Sequence, residues 1–154
     1  MRGAIANSTN LQGAKIALLC GSEIITYLRD NKPEIPNPGQ WDLPGGVREP
    51  DETSQTCALR ETQEEFGLEI DPDHLIYETS YWAPAAGGLA RREVAFFVAD
   101  IDDETVQHIV FGDEGQYWRM MPIPQFLAHP HAVPELQDCV AAYLKHKNTP
   151  VGVT

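Results

Sequence analysis

One stretch of 23 residues, Gly46–Leu68 (GVREPDETSQTCALRETQEEFGL), constrains this chain more than any other, because a glycine turn runs into a helix rich in carboxylates. Trp41–Leu43 reads as a short extended piece stopped by Pro44-Gly45-Gly46. Thr53–Phe66 then reads as a helix closed by Gly67 at C′, where glycine tolerates the left-handed conformation. At about 100° per residue, Glu61, Glu64 and Glu65, spaced i, i+3, i+4, share one face. Leu59, Thr62 and Phe66, with Ala58 at the edge, form the arc that turns away from the glutamates to bury against a sheet. The expectation is an amphipathic helix with an acidic outer face.

Like charges about 5–6 Å apart on such a face repel by roughly 3 kcal/mol per pair at an effective dielectric of about 20, so three of them call for a compensating cation. Hard oxygen donors in this number suit Mg²⁺, with Mn²⁺ as the alternative, and no Cys/His zinc pattern competes. A solvated face on a surface helix is the plain alternative for three glutamates alone, so their surroundings decide. Gly45 and Gly46 allow a sharp turn that brings backbone groups close to a ligand or metal. Glu52 before the helix and Arg60 within it are placed to form an ion pair that pins the loop to the helix.

These residues carry a resemblance. Gly46–Leu68 resembles the Nudix box, G-x5-E-x7-R-E-U-x-E-E-x-G-U with U a bulky aliphatic, through Gly46, Glu52, Arg60, Glu61, Glu64, Glu65 and Gly67. Seven identities at set spacing are far more specific than a lone glycine motif. Leu68 fills the last U, and Thr62 departs from the pattern. On the helix wheel Thr62 faces the core, so its methyl can pack while its hydroxyl bonds back along the helix.

The resemblance implies a Nudix fold, an α+β arrangement in which an α/β/α sandwich surrounds a central mixed β-sheet. It implies metal ligation by Glu64 and Glu65, with Glu61 and the Gly45 carbonyl contributing, and structural roles for Gly46, Glu52, Arg60 and Gly67. A further acid is expected from a later loop: Glu114 in Gly112-Asp113-Glu114-Gly115-Gln116, with Asp113 as its rival. The stretch Ala128–Pro134 lacks the asparagine by which some mutator-type relatives read an oxidised guanine.

The rest of the chain agrees with one folded unit. At 154 residues it is long enough to bury about 68–70% of its unfolded surface. Lys15–Cys20 and Ile24–Leu28 read as a hairpin, and Asp30–Gln40 as a loop. Leu75–Trp82 and Glu93–Ala99 read as strands joined by an Ala/Gly loop, with a further strand at Gln116–Met121. Pro124–Ala128 reads as a helical turn, and Asp102-Asp103-Glu104 as a solvated turn. Pro134–Lys147 reads as an amphipathic helix with apolar positions at Leu136, Val140, Ala141 and Leu144. The expected domain spans 14–147, between tails at 1–13 and 148–154.

A net charge of −12 argues against a nucleic-acid polymer as partner, because such a partner needs clustered Lys and Arg. An anionic small molecule remains admissible through a cation. No apolar run approaches the roughly 20 residues of a membrane span, and the N-terminus has no signal-peptide pattern. Three cysteines without a C-x-x-C pair fit reduced thiols in a cytoplasm.

The functional expectation is Mg²⁺-dependent hydrolysis of a diphosphate linkage in a nucleotide-like substrate, foremost a nucleoside triphosphate. Glu61, Glu64, Glu65 and Glu114 are its catalytic set, with Glu61 or Glu114 acting on the attacking water. Arg29 and Arg92 are the expected substrate-binding cations, with Lys32 a further candidate. Trp41, Tyr81, Trp82, Trp118 and Phe126 are candidates to stack on a base; His129 and His131 are candidates to read a polar group. The alternative is a catalytically silent Nudix-fold sensor, whose mark would be lost box carboxylates. The chain is expected as a monomer or homodimer.

Overall fold

The apolar run that opens the folded part pairs with a strand far along the chain, and the sheet grows from there. A computed structural model describes residues 11–84 and 91–148; the outer tails and the Ala/Gly loop at 85–90 lie outside the described residues. Strand β1 (Gly13–Cys20) turns through Gly21-Ser22 into β2 (Glu23–Leu28), with Cys20 opposite Glu23. Gly21 has φ +61°, a value glycine adopts without strain. After the Pro-rich loop come β3 (Trp41–Asp42) and β4 (Gly45–Val47). β5 (Leu75–Ala83) and β6 (Arg92–Asp100) form an antiparallel pair, and β7 (Tyr117–Pro122) lies antiparallel to β2.

The main strand order is β3-β2-β1-β6-β5, with β4 on β1 and β7 on β2. β1 runs parallel to β6, Gly13 opposite Val94, while the other pairs are antiparallel, so the sheet is mixed. Helix α1 (Ser54–Phe66) covers one face. On the other lie α3 (Ile123–Ala128) and α4 (Pro134–Lys147). Strand alternation divides the core accordingly. Ala14, Ile16 and Leu18 join Cys57, Ala58 and Phe66 under α1, while Ala17 and Leu19 join Phe126, Leu136 and Val140 under α3 and α4. This is the expected α/β/α sandwich.

Several local readings shift. Leu11 is buried and Gly13 opens β1, so ordered structure reaches into the stretch expected to be an N-terminal tail. The Gly-Gly turn is itself a strand, because β4 finds a partner in β1. The acidic run is an N-terminus: Asp102 accepts a bond from the Thr105 N–H (2.9 Å) and caps α2 (Asp103–Gln107). On α4 the buried stripe is Leu136, Cys139, Val140 and Tyr143, and Ala141 points to solvent. The larger Tyr143 ring wins the inner face, where it packs against Tyr77. Among the described residues no helix is long and apolar enough to cross a membrane.

Candidate active site

Helix α1 is held at both ends as its sequence dictates. Thr53 accepts a bond from the Thr56 N–H (3.0 Å), and Gly67 adopts φ +68° and bonds back to the Gln63 carbonyl. Thr62 is fully buried, and its hydroxyl donates to the Ala58 carbonyl at 2.8 Å. Arg60 grips Glu52 with two parallel bonds, Nε to Oε2 at 2.6 Å and Nη2 to Oε1 at 3.0 Å. Its remaining donors reach the Val47 carbonyl, Glu61 and Glu64, each at 3.2 Å. Arg60 thus ties loop, strand β4 and helix together, and it relieves part of the repulsion among the glutamates.

The glutamate face is not uniformly outward. Glu64 is open to solvent, but Glu65 is only 4% exposed and Glu61 is half-buried, because β4 lies across this side of α1. Two glycines make that possible. A Cβ on Gly46 would stand 2.5 Å from Glu61 Oε2, and one on Gly45, whose φ is +145°, would collide with the Ala14 carbonyl of β1. The Gly45 N–H donates to Glu65 Oε1 at 2.9 Å. Burial pushes the Glu65 carboxyl up to about 8, against the lowering pull of Lys15 and that N–H. Burial also raises Glu61, opposed by Arg60.

The third acid comes from the distant loop. Gly112 donates its N–H to the Glu65 carbonyl, Gln116 donates its own to the Leu28 carbonyl, and Gly115 (φ +88°) tucks against Tyr27. Stitched to helix and sheet alike, this loop presents Glu114 so that one carboxylate oxygen from each of Glu61, Glu65 and Glu114 lies within 4.8 Å of the others. An octahedral Mg²⁺ with bonds of about 2.1 Å spaces its ligands about 3.0–4.2 Å apart, so this donor set fits the expected ion after a small inward movement. Glu64 and Asp113 stand beside the trio along an open cavity, and neither belongs to it.

Across β4, on the α4 face of the sheet, a cavity of about 240 Å³ is lined by Lys15, Arg29, Asp42, Gly46, Tyr81 and Arg92, among others. Asp42 is 2% exposed and receives Lys15 Nζ at 3.0 Å, Arg29 Nη1 at 2.8 Å, the Tyr27 hydroxyl at 3.3 Å and the Leu43 N–H at 2.7 Å. Burial alone would raise this carboxyl, but Lys15 and Arg29 overcome it and hold it below the ordinary value. Arg29, expected to meet phosphate, is therefore engaged with Asp42 and with the Pro36 carbonyl at 2.9 Å. The expected contact Arg92 lines the cavity without any hydrogen bond or ion pair among the described residues. Lys32 sits outside it, 3.9 Å from Asp30.

Of the aromatic candidates, Tyr81 lines this cavity, Trp82 is half exposed on β5, and Trp41 and Phe126 belong to the core. Trp118 packs against the α1-side core. His129 and His131 contact each other and Trp41 away from the cavity. Sequence reasoning missed Lys15 and Asp42. The available signal was a lysine inside the apolar run Ala14–Cys20, on the side of β1 that otherwise carries Ala17 and Leu19.

Comparison with known proteins agrees with this fold. A MutT-like protein of Streptomyces ambofaciens is 51% identical over 37 residues, 24% of this chain and 24% of that protein. The MutT protein of Methanosarcina mazei superposes with a TM-score of 0.67 at 19% identity, covering 92% of this chain and all of that one. A bifunctional NMN adenylyltransferase/ADP ribose pyrophosphatase of Francisella tularensis, complexed with AMP and a manganese ion, gives a TM-score of 0.70 at 16% identity. That match covers 88% of this chain and 42% of the bifunctional one. The NUDIX domain profile matches residues 11–143, and with the box in place on α1 the chain belongs to the NUDIX family of hydrolases.

Proposed function

We propose that this protein hydrolyses a phosphoanhydride bond in a nucleoside diphosphate linked to a further group, foremost a nucleoside triphosphate, in a reaction that requires Mg²⁺ or Mn²⁺. The observation that carries this reading is the convergence of Glu61, Glu65 and Glu114 within 4.8 Å beside a cavity walled by cations. Glu61 and Glu65 would hold the metal, with Glu64, which contacts Arg60, and the Gly45 carbonyl as further candidate ligands. A bound divalent ion would supply positive charge against the diphosphate and make the attacking water more acidic. Glu114, whose carboxylate makes no hydrogen bond or ion pair among the described residues, takes the proton of the attacking water. The water oxygen bonds to phosphorus as the bond to the bridging oxygen breaks. Arg92 and the unspent side of Arg29 orient the substrate. Three free cysteines agree with a reducing cytoplasm.

The test is a panel of nucleoside triphosphates, nucleotide sugars, ADP-ribose and dinucleoside polyphosphates, incubated with Mg²⁺ and then with EDTA. Cleavage of one class that stops in EDTA is the expected result and names the substrate. Metal-independent release would overturn the metal-dependent mechanism, and binding without turnover across the panel would leave a nucleotide sensor as the better description.

A further inference from the structure

The cavity on the α4 face holds more positive donors than the fold uses. An ammonium has three N–H donors. Lys15 spends two of them, on Asp42 Oδ2 and on the Leu43 carbonyl, each at 3.0 Å. Its side chain is only 13% exposed and lines the cavity, its ammonium lies 5.9 Å from the centre of the Tyr27 ring, and its third donor has no hydrogen-bond acceptor among the described residues. The Arg92 guanidinium, on the same face two residues before Val94 of the cavity wall, spends none among the described residues. The Arg29 guanidinium leaves its Nη2 unspent among the described residues. Asp42 Oδ2 already accepts from Lys15, Arg29 and Tyr27, and Oδ1 from the Leu43 N–H. Glu135, at the first turn of α4, is the other carboxylate on the wall. The wall carries three cations against two carboxylates in a chain of net charge −12.

Resting on the proposed hydrolase reading, we infer that Lys15 is a substrate-binding residue which, with Arg92, holds an oxyanion of the substrate on the α4 side of β4, separate from the diphosphate held at Glu61, Glu65 and Glu114. Register places this subsite beside the carboxylates: Lys15 pairs with Gly45, whose N–H binds Glu65. A substrate spanning both sites carries negative charge beyond the diphosphate that is cut, as a triphosphate does and a neutral sugar diphosphate does not. The unsatisfied donors supply the physical reason. A partly buried charged donor without an acceptor is costly, and an anion that enters removes that cost while forming charge-assisted bonds.

The experiment measures binding without the metal, so that the diphosphate site contributes no attraction. Inorganic pyrophosphate and malonate are titrated by calorimetry into the full-length protein in EDTA, with the fold of every variant checked by circular dichroism. Lys15→Met should weaken binding of the preferred anion roughly 10- to 100-fold, and Lys15→Arg should restore most of it. Lys147→Met, the same charge change at the end of α4, should leave it unaltered. Tighter binding of pyrophosphate identifies a phosphate, and tighter binding of malonate a carboxylate; either supports the subsite if Lys15→Met abolishes the preference. A folded Lys15→Met that binds both as wild type does overturns the inference. Should Lys15→Met fail to fold, Arg92→Met decides, since the Arg92 side chain makes no hydrogen bond or ion pair among the described residues: an unaltered affinity overturns the inference and a tenfold loss supports it. Turnover of the panel with an unchanged KM in Lys15→Met would sink this inference and leave the hydrolase reading intact. Lys15-dependent anion binding without any turnover would do the reverse.

Discussion

Two carboxylates are buried close together in this protein, and they live under opposite conditions. Asp42, on the α4 side of β4, has two cations, a phenol and a backbone N–H. Glu65, on the α1 side, has one backbone N–H and two other acids near it. The fold holds Asp42 ionised below its ordinary range and lifts Glu65 to about 8. The first is a charge the chain has balanced for itself. The second is only partly balanced, by Lys15 and one backbone N–H, and the rest of its charge calls for a cation from outside, which is what a metal site needs before it meets its metal.

The sharpest way to break this contrast is Asp42→Ala. It strands Lys15 and Arg29 in a poorly solvated place, and denaturant unfolding should show a loss of about 3–5 kcal/mol. If stability hardly changes, Asp42 is not the anchor described. Glu65→Gln should act oppositely: turnover with Mg²⁺ falls at least about 100-fold, while the metal-free protein melts no lower than wild type. Adding Mg²⁺ at about 100 times its dissociation constant should stabilise the wild type by about 2.7 kcal/mol and should stabilise Glu65→Gln much less. Arg60→Ala breaks the grip on Glu52, a charged pair that leaves one partner nearly buried, and should cost about 1.5–3 kcal/mol by thermal melting.

The smallest effect concerns pH. Because the folded protein holds Asp42 below the value it has when unfolded, its contribution is fully present above about pH 4 and is lost as pH falls through the folded value. The stability gap between wild type and Asp42→Asn should therefore be constant at neutral pH and narrow in acid. A gap that widens in acid would mean that Asp42 is protonated in the native state.

How much of this was legible beforehand depends on distance along the chain. Thr53, Gly67, the back-bond of Thr62 and the Arg60–Glu52 pair all follow from spacing within one helix and its entry loop, and the structure shows each of them. The wheel grouped Glu61, Glu64 and Glu65 correctly, yet it could not say that β4 would cover Glu65 and leave Glu64 out. Periodicity tells which residues share a face, not what packs on it. The Lys15–Asp42 pair joins residues that no local pattern relates. Glu114 was nameable only through the family resemblance, because its place depends on hydrogen bonds from a loop to Glu65 and Leu28. On α4, a choice among apolar positions that differ in size and angle was settled by the neighbour Tyr77.

The stitching of the Gly112–Gln116 loop also sets an order in time. Helix α1 and β4 are near neighbours in sequence and can meet early, whereas β1 must wait for β6, and Glu114 comes later still. During synthesis, at about 5–20 residues per second, the third acid leaves the ribosome a few seconds after Glu65. Through that interval the nascent chain carries Glu61 and Glu65 without Glu114, so a ligand that depends on all three acids can reward only the completed fold.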